Sequence, residues 1–514
     1  MLSSSRLCMF LRVSLFILVS LSFLHSEEVS RSGEAIYGRL CVDCHGARGE
    51  GVENEYDEPL YGNRTVEDLA KLIHKTMPED EAELCVDDDA ANVAQYVYDA
   101  FYSAEARARN QPVRVELARL TAAQYKQSVA DLVGSFRSEP ELGEERGLRA
   151  EYYDDRNRRR NKRKINRVDP EVQFAFGTKS PDPESIQDEA FAIEWEGGLI
   201  VEESGDYEFC VTTENGFKLY VNSDADKALI DGWVSSGTLT ENRVTLPLLG
   251  GHVYPIRLEY FKFKEKSASI ELRWKPPHGV ETVIPEASLA PIKAPPVMVV
   301  SKAFPADDRS MGYVRGTAVS KAWHEATTSA AVEVADHVVG HLSSLVDAKT
   351  DSDEWPEAVR SFCSRFVERA FRRPLSDEER AFFVDSRFGD GIETTSAVKR
   401  VVLLALKSPR FLFPEVQAGS DAKTVASRLA LILRDTLPTK SLRRAAKDGR
   451  LKDREAVREM AARMLDHPET RAKLQGFFDH WLHIDEEHDL SKDPRVFPDF
   501  DRETIADLRR SLTV

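Results

Sequence analysis

The pentapeptide Cys41-Val42-Asp43-Cys44-His45 constrains the fold of this 514-residue chain more than any other feature of its sequence. Two thiols separated by two residues can add across the vinyl groups of a haem, and the histidine that follows can reach the iron from one face. Half of a zinc site is the alternative interpretation. Zinc would need two further ligands, and only His74 and Cys85 are near in sequence. The motif therefore predicts one covalent haem c.

The second iron ligand is expected from Thr76-Met77-Pro78. A methionine thioether favours ferrous iron, and Pro78 would end the preceding helix and stiffen the loop that presents the sulfur. His74 is the competing ligand, and the Met-Pro loop is the preferred geometry. The predicted site thus uses Cys41 and Cys44 for covalent attachment, with His45 and Met77 as axial ligands.

The N-terminus predicts an extracytoplasmic protein (periplasmic, secreted or on the cell surface). Arg6 and Arg12 flank a short apolar run that ends near Leu24, and small and polar residues follow. This pattern is typical of a secretory signal peptide, residues 1–26, cut near Ser26. A retained anchor is the alternative, but the apolar run is short for a bilayer span. No integral membrane span is expected after cleavage.

Composition favours a folded chain that does not bind nucleic acid. Hydrophobic residues make up 42% of the chain, which is enough for packed cores, and the net charge is -17. One basic run, Arg156–Lys164, departs from this balance and is predicted to be a solvated loop. Cys85, Cys210 and Cys363 are too widely separated to suggest a disulfide scaffold.

Hydrophobic periodicity predicts a multidomain chain: an all-α domain, an all-β antiparallel sandwich, and a mostly α-helical C-terminal region. The predicted boundaries are 30–103 for the first domain, 112–145 for a helical segment, 147–292 for the sandwich and 297–514 for helical modules. Helical character continues to the last residues, so the chain is expected to be truncated at its C-terminus. The clearest predicted helices are Val66–Lys75, Ala90–Tyr102, Thr121–Val133, Ala318–Leu345, Trp355–Ala370, Thr395–Lys407, Thr424–Arg434, Arg454–Leu465 and Pro468–Leu482. The clearest predicted strands are Glu208–Thr212, Phe217–Val221, Tyr254–Tyr260 and Ser269–Trp274.

The first domain resembles the small mono-haem cytochrome c domain, and is most similar to those of large secreted planctomycete proteins. The resemblance rests on Tyr37, the Cys41–Gly46 segment, Met77-Pro78 and a terminal helix with Tyr96. Such domains often carry a Cys-x-x-x-Cys pair after the Met-Pro. Here Cys85 is present, but its partner position is Asp89, so the resemblance implies a free thiol.

Helical segments elsewhere resemble the same family, whose members continue beyond the end of this chain. They are Arg119–Gly134, Ala370–Leu375, Leu406–Leu412, and Phe477–Leu482 with Asp493–Pro498. The resemblance implies no chemistry for them, and whether the chain is an enzyme stays open. Two histidine groups, His337 with His341 and His480 with His483 and His488, are interpreted as structural because each lacks a complete ligand set.

The strand-rich region resembles the protective antigen-type domain. The segments that carry this resemblance are Ala150–Tyr153, Gly205–Phe209, Asn215–Val221 and Ser269–Trp274. Sugar-binding members hold calcium with two aspartates, where this chain has Glu214 and Asn215. Glu214 and Asn215 still offer oxygen ligands, but they are not a pair of carboxylates. Two interpretations therefore remain open: a calcium and sugar site, or a spacer or protein-contact role.

The leading hypothesis is an exported c-type cytochrome that transfers single electrons to or from a redox protein partner, coupled to a glycan-binding module. A cell-surface carbohydrate- or protein-binding scaffold with an accessory haem is the second hypothesis. An oxidative enzyme acting on polysaccharide is the third, and it would need a catalytic site that no motif supplies.

Overall fold

The computed structural model describes residues 32–110, 118–138, 140–223, 227–234, 237–309, 314–414, 421–482, 492–493, 495–501, 504–505, 507–508 and 511. The predicted signal segment 1–26, His483 and His488 lie outside these ranges. Contacts divide the chain into two compact units, Met1–Glu116 and Leu117–Val514. The predicted fold class is confirmed, because helices, an antiparallel sandwich and further helices follow one another along the chain.

The first unit is helical. Its helices are α1 (Gly33–Leu40), α2 (Val42–His45), α3 (Val66–Thr76), α4 (Asp87–Val97) and α5 (Ala104–Asn110). A 3-10 turn, Ala82–Leu84, precedes α4, and a π-helical turn, Tyr98–Tyr102, follows it. Helix α3 begins where predicted because Thr65 and Asp68 form a capping box that satisfies the first free amides.

Helices α1 and α4 approach closely at Gly33. A Cβ atom at this position would lie 2.1 Å from the Asn92 carbonyl oxygen and 2.8 Å from the Tyr96 Cβ atom. Further along the crossing, the Tyr37 ring lies 5.3 Å from the Tyr96 ring and 5.8 Å from the Phe101 ring. Glycine therefore permits the backbone approach, and the aromatic rings fill the space beside it.

Twelve strands are described in the second unit, and they form two antiparallel sheets. The strands are β1 (Leu148–Tyr153), β2 (Arg163–Asp169), β3 (Gln173–Gly177), β4 (Ala190–Val201), β5 (Gly205–Thr213), β6 (Gly216–Val221), β7 (Ile230–Gly232), β8 (Thr240–Leu248), β9 (His252–Phe263), β10 (Ala268–Lys275), β11 (Thr282–Val283) and β12 (Leu289–Ala290). One sheet has the order β2-β1-β4-β9-β6-β7, with β12 on β4. The other has the order β11-β10-β5-β8, with β3 on β10.

Alternating residues of the long strands create the core between the sheets. Ile193 and Trp195 of β4 and Tyr260 of β9 belong to this buried cluster. Ala192 of β4 and Phe261 of β9 have the opposite phase and join a separate small cluster. The period of two along each strand therefore gives the seven-stranded sheet an inner face and an outer face.

The remaining helices are α6 (Ala122–Gly134), α7 (Lys321–Gly340), α8 (Leu342–Leu345), α9 (Trp355–Ala370), α10 (Asp377–Phe383), α11 (Thr394–Lys407), α12 (Pro409–Leu412), α13 (Ala422–Arg434), α14 (Lys440–Lys447), α15 (Arg454–Met464) and α16 (Pro468–Trp481). Tyr125 and Val129 of α6 share one buried core with Trp323, Phe362 and Val401. The segment before the sandwich thus packs with helices that follow it. No helix among the described residues is both long and apolar enough to cross a membrane.

Candidate haem-attachment site

The two motif cysteines lie where α1 gives way to the single turn of α2. The Cys41 amide donates to the Tyr37 carbonyl at 2.9 Å, and the His45 amide donates to the Cys41 carbonyl at 2.9 Å. Gly46 then turns the chain with φ of 77°, and the Tyr37 hydroxyl donates to its carbonyl at 2.8 Å. Tyr37 therefore links helix α1 to the residue directly after the motif, which holds the turn in place.

His45 has the properties that an iron ligand needs. Burial lowers the pKa of its imidazole, which favours the neutral ring whose nitrogen lone pair can bind a metal. Its Nδ1 atom is buried and makes no hydrogen bond to any described residue. A buried polar atom without a partner costs free energy, so the ring fits a site that a bound group completes. The Tyr56 ring lies 4.6 Å from it, edge to face.

Met77 caps α3 at its C-terminal end. Its amide donates to the Ile73 carbonyl at 3.0 Å, and its side chain is partly buried against the same core as Cys41 and Tyr37. The Met77 and Cys41 side chains thus pack against one hydrophobic core. This placement and the chemistry of the four side chains fit a haem c, with Cys41 and Cys44 available for thioethers and His45 and Met77 for iron.

His74 is engaged elsewhere. Its Nδ1 atom accepts a hydrogen bond from the Asp87 amide at 3.0 Å, and its side chain is half exposed. This bond ties the end of α3 to the start of α4. The structure thus gives the competing histidine a structural contact, which favours Met77.

Cys85 lies in the haem-domain core, a position that sequence reasoning did not assign to it. Its side chain is 1% exposed, and its thiol has no disulfide partner among the described cysteines. Burial, together with the neighbouring Cys85 and Cys44 thiols, raises the pKa of the Cys41 thiol to about 12. A third thiol therefore lies close to the predicted attachment site. Cys85 follows the 3-10 turn Ala82–Leu84, outside any helix whose periodicity could have indicated this.

Glu214 and Asn215 occupy the turn between β5 and β6, and both are buried. The Asn215 Oδ1 atom accepts from the Tyr260 hydroxyl at 2.7 Å and from the Ser269 amide at 3.3 Å, and its Nδ2 atom donates to the Ser267 carbonyl at 3.1 Å. The Glu214 carboxylate accepts from the Ser269 hydroxyl. These side chains therefore join β5, β9 and β10 inside the sandwich.

Among the described residues, no group of three or more His, Cys, Asp or Glu side chains has the geometry of a metal site. The His337 and His341 rings stack at 4.0 Å, and the His341 Nδ1 atom lies 2.7 Å from the His337 carbonyl oxygen. The Arg309 Nη1 atom donates a hydrogen bond to the His480 Nδ1 atom at 3.1 Å. His337, His341 and His480 thus each have a local contact, while His483 and His488 lie outside the described residues.

Comparison with protein families assigns three parts of the chain. The family model described as cytochrome C oxidase, cbb3-type, subunit III matches residues 28–97, which include the motif and Met77. This part is a cytochrome c-type domain. The PA14 domain model matches residues 144–288, and a model described as protein of unknown function (DUF1592) matches residues 421–514. The resemblance of the first domain to a cytochrome c domain and that of the sandwich to the protective antigen-type domain are thereby confirmed.

Individual relatives match the chain only over a limited part. The anti-sigma-I factor RsgI3 of Acetivibrio thermocellus is 32% identical over 149 residues, 29% of this chain and 22% of that protein. The chain therefore spans less than a quarter of the length of this curated relative. An anti-sigma factor domain-containing protein from Clostridium clariflavum is 26% identical, with a TM-score of 0.26. The match covers 32% of this chain and 51% of that chain. A PA14 sugar-binding domain from an RTX adhesin is 14% identical, with a TM-score of 0.23. The match covers 28% of this chain and 98% of that chain.

Proposed function

We propose that this chain is an extracytoplasmic electron-transfer protein with one covalent haem c and a glycan-binding sandwich. One observation carries the proposal. Cys41, Cys44 and His45 stand on one helical turn, and Met77 ends another helix in the same hydrophobic core. The match to a cytochrome c-type domain model supports haem as the group that these residues hold.

The haem, when bound, supplies reversible one-electron chemistry. Cys41 and Cys44 would hold it covalently, and the neutral His45 imidazole and the Met77 thioether would bind its iron. A methionine ligand favours the ferrous state and raises the potential. Leu69, Ile73 and Tyr37 line the same core and exclude water, which favours a raised potential as well.

The sandwich is proposed to attach the cytochrome domain to a glycan. The PA14 domain match and the sugar-binding members of the protective antigen-type domain support this assignment. Calcium-dependent binding at Glu214 and Asn215 has less support, because the Asn215 amide oxygen already accepts two hydrogen bonds. The signal-like segment 1–26 supports export, and the order of the modules supports a place among the secreted planctomycete cytochromes that the chain resembles.

Redox kinetics of the full chain, produced with a cytochrome c maturation system, test the electron-transfer proposal. We expect a haem absorbance that reduces fully with one electron per chain and that exchanges electrons with a soluble donor on the millisecond timescale. A holoprotein whose haem is retained but is not reduced by any small-molecule donor would contradict the proposal. Met77→Leu is the matched variant, and it should lower the midpoint potential while keeping the haem covalently attached.

A further inference from the structure

The basic run Arg156–Lys164 stands out against an acidic chain. Seven of its nine residues are arginine or lysine, while the chain carries a net charge of -17. The run connects β1 to β2 at the edge of the seven-stranded sheet. The structure brings a second basic segment, the turn between β9 and β10, to the same place.

The loop is solvated, as predicted from the sequence, and it also has a defined conformation. The Asp154 amide donates to the Lys162 carbonyl at 2.9 Å, and the Gln187 amide donates to the Asp154 carboxylate at 3.0 Å. Arg158 adopts a left-handed backbone conformation with φ of 55°, which is uncommon for a side chain of this size. The loop is thereby closed at its base and turned toward the outer face of the sheet.

Arg158 is the anchor of this loop. Glu151, Glu194 and Glu259 lie opposite one another on β1, β4 and β9, and such like charges would repel. The Arg158 guanidinium offsets this repulsion, with Nη1 at 2.5 Å from the Glu194 carboxylate and 2.9 Å from the Glu259 carboxylate. Three other cations of the run are also paired, with carboxylates of Asp155, Asp154 and Glu151, and they are Arg159, Lys162 and Arg163. The remaining three, Arg156, Arg160 and Lys164, are left for external contacts.

Two cations from different segments converge on one aromatic ring. The Arg156 Cζ atom lies 4.0 Å from the centre of the Phe263 ring, and the Lys264 Nζ atom lies 5.1 Å from it. Both side chains are exposed, and neither forms an ion pair with a described residue. Glu265, which follows Lys264, accepts a hydrogen bond from the Phe263 amide at 2.5 Å, and Asp155, which precedes Arg156, pairs with Arg159. Like charges held together in this way favour an anion between them.

Further exposed cations lie on the same segment, and an aromatic ring lies in the same outer-face cluster as Phe263. Arg160 is exposed on the loop and Lys164 is exposed in the first residues of β2, and neither forms an ion pair with a described residue. On the same outer face, the Trp233 ring is half-buried and packs 4.7 Å from the Phe261 ring. Cations bind acidic substituents, and a partly exposed indole offers an apolar face to a sugar ring.

We propose that Arg156 and Lys264, together with Arg160, Lys164 and Trp233, form a binding site for a polysaccharide that bears anionic groups. The site lies on the outer face of the sheet and needs no calcium. It is built from other side chains than the buried Glu214 and Asn215, although the Asn215 amide contacts Ser267 in the same β9–β10 turn. The inference rests on the proposed glycan-binding role of the sandwich and names the class of glycan. Sulfate esters and uronate carboxylates share the chemistry that this site recognises.

The test measures binding of the matured full chain to two pairs of polymers matched in backbone. Dextran sulfate is compared with dextran, and polygalacturonate with its methyl ester, each with and without EDTA. We expect binding to a charged member of either pair and not to its neutral partner, unaffected by EDTA and weakened by salt. The pair that binds distinguishes sulfate from carboxylate recognition.

The variants are R156Q/K264Q and, as a control with the same change in net charge, K275Q/K293Q. Lys275 and Lys293 are exposed elsewhere in the sandwich region. The first variant should bind about tenfold more weakly and the control should bind as the parent does. Circular dichroism melting of both variants checks that the fold is kept, and Arg158 is left in place because it supports the loop.

Four outcomes would overturn the inference. Equal binding by R156Q/K264Q and the parent would exclude the site. Equal affinity for double-stranded DNA of matched charge would show general polyanion adhesion. Binding of a neutral glycan that EDTA abolishes would leave the proposed glycan role intact and remove this site. No binding to any of the polymers would contradict the glycan role itself.

Discussion

The Nδ1 atom of His74 accepts a hydrogen bond from the Asp87 backbone amide at 3.0 Å. This contact lies between the end of α3 and the first residue of α4, where Val86 offers no capping side chain. The imidazole therefore satisfies one of the free amides at the start of α4. His74 and Met77 are three residues apart, and this bond distinguishes a structural histidine from a candidate ligand.

Replacing His74 and replacing Met77 should have different effects on the absorption spectrum. Met77→Ala should abolish the ferric methionine–iron charge-transfer band, because no other thioether is placed in this core among the described residues. His74→Ala should keep the band and lower stability by about 1–2 kcal/mol through loss of the Asp87 contact. Absorption spectra of the matured ferric proteins decide the point. A band that survives in Met77→Ala and disappears in His74→Ala would reverse the ligand assignment.

The α1–α4 crossing predicts opposite effects for two glycines of one helix. Gly33→Ala would place a Cβ 2.1 Å from the Asn92 carbonyl oxygen and should destabilise the domain by about 1–3 kcal/mol. Gly38→Ala meets no heavy atom within 4 Å and should stabilise the domain by about 0.5–1 kcal/mol. The readout is the temperature at which each holoprotein loses its methionine-ligation band. Equal melting of the two variants would show that the helices do not cross at Gly33.

The second unit contains a buried ion pair with a testable contribution. The Arg119 Nη1 atom lies 2.6 Å from the Asp307 carboxylate, and both side chains are nearly fully buried. The same carboxylate accepts from the Ala122 amide at 2.7 Å, at the first turn of α6. Asp307→Ala should lower the free energy of unfolding by about 3–5 kcal/mol, because it leaves a buried guanidinium without its partner.

The exposed pair Lys321–Glu325 provides the control for this ion pair. Its nitrogen and oxygen atoms are 3.6 Å apart and its side chains are largely exposed. Lys321→Ala should change stability by less than about 0.5 kcal/mol. Urea denaturation followed by tryptophan fluorescence measures both variants. Similar midpoints for the two variants would contradict the buried role of Asp307.

The Glu379 carboxylate predicts a stability change in acid. Arg373 donates two hydrogen bonds to this carboxylate at 2.7 Å, and the Ser376 amide donates another. These bonds outweigh the opposing effect of burial and lower the pKa of Glu379 from 4.5 to about 2. A group whose pKa is lower in the folded state stabilises the fold above its unfolded pKa, and the effect disappears as the pH falls through the folded pKa. We therefore expect a loss on the order of 2–3 kcal/mol between pH 5 and pH 2.

Glu379→Gln should remove this part of the acid sensitivity, whereas Glu378→Gln, an exposed neighbour on α10, should retain it. Urea midpoints across the acid range give the slope for each protein. If the urea midpoint depends on pH with the same slope in the parent and in Glu379→Gln, this carboxylate does not contribute to the acid sensitivity.

Much of the fold could be predicted from local patterns. The alternation in β9 and β10 and the helical spacing in α9 were read correctly because one buried face repeats with a fixed period. Helix α7 ends at Gly340 and α8 starts at Leu342, although one continuous helix, Ala318–Leu345, was predicted. The non-helical backbone at His341 breaks the helix, and hydrophobic periodicity does not register a single such residue.

Long-range contacts account for what the sequence could not reveal. Cys41, Cys44 and His45 lie within five consecutive residues, so this motif can be found in the sequence without knowledge of the tertiary structure. Arg158 meets Glu194 and Glu259 only because strands β4 and β9 are neighbours in the sheet. The basic run was therefore interpreted as a solvated loop, although one of its members is anchored on the sheet.

The central claim is that Cys41 and Cys44 hold one haem covalently. The most direct measurement is the alkaline pyridine spectrum of the denatured full chain after production with a cytochrome c maturation system, together with protein quantification. We predict one haem c per chain in the parent and none in the Cys41→Ala/Cys44→Ala variant. A parent spectrum without covalently retained haem, or a variant that retains it, would contradict the claim.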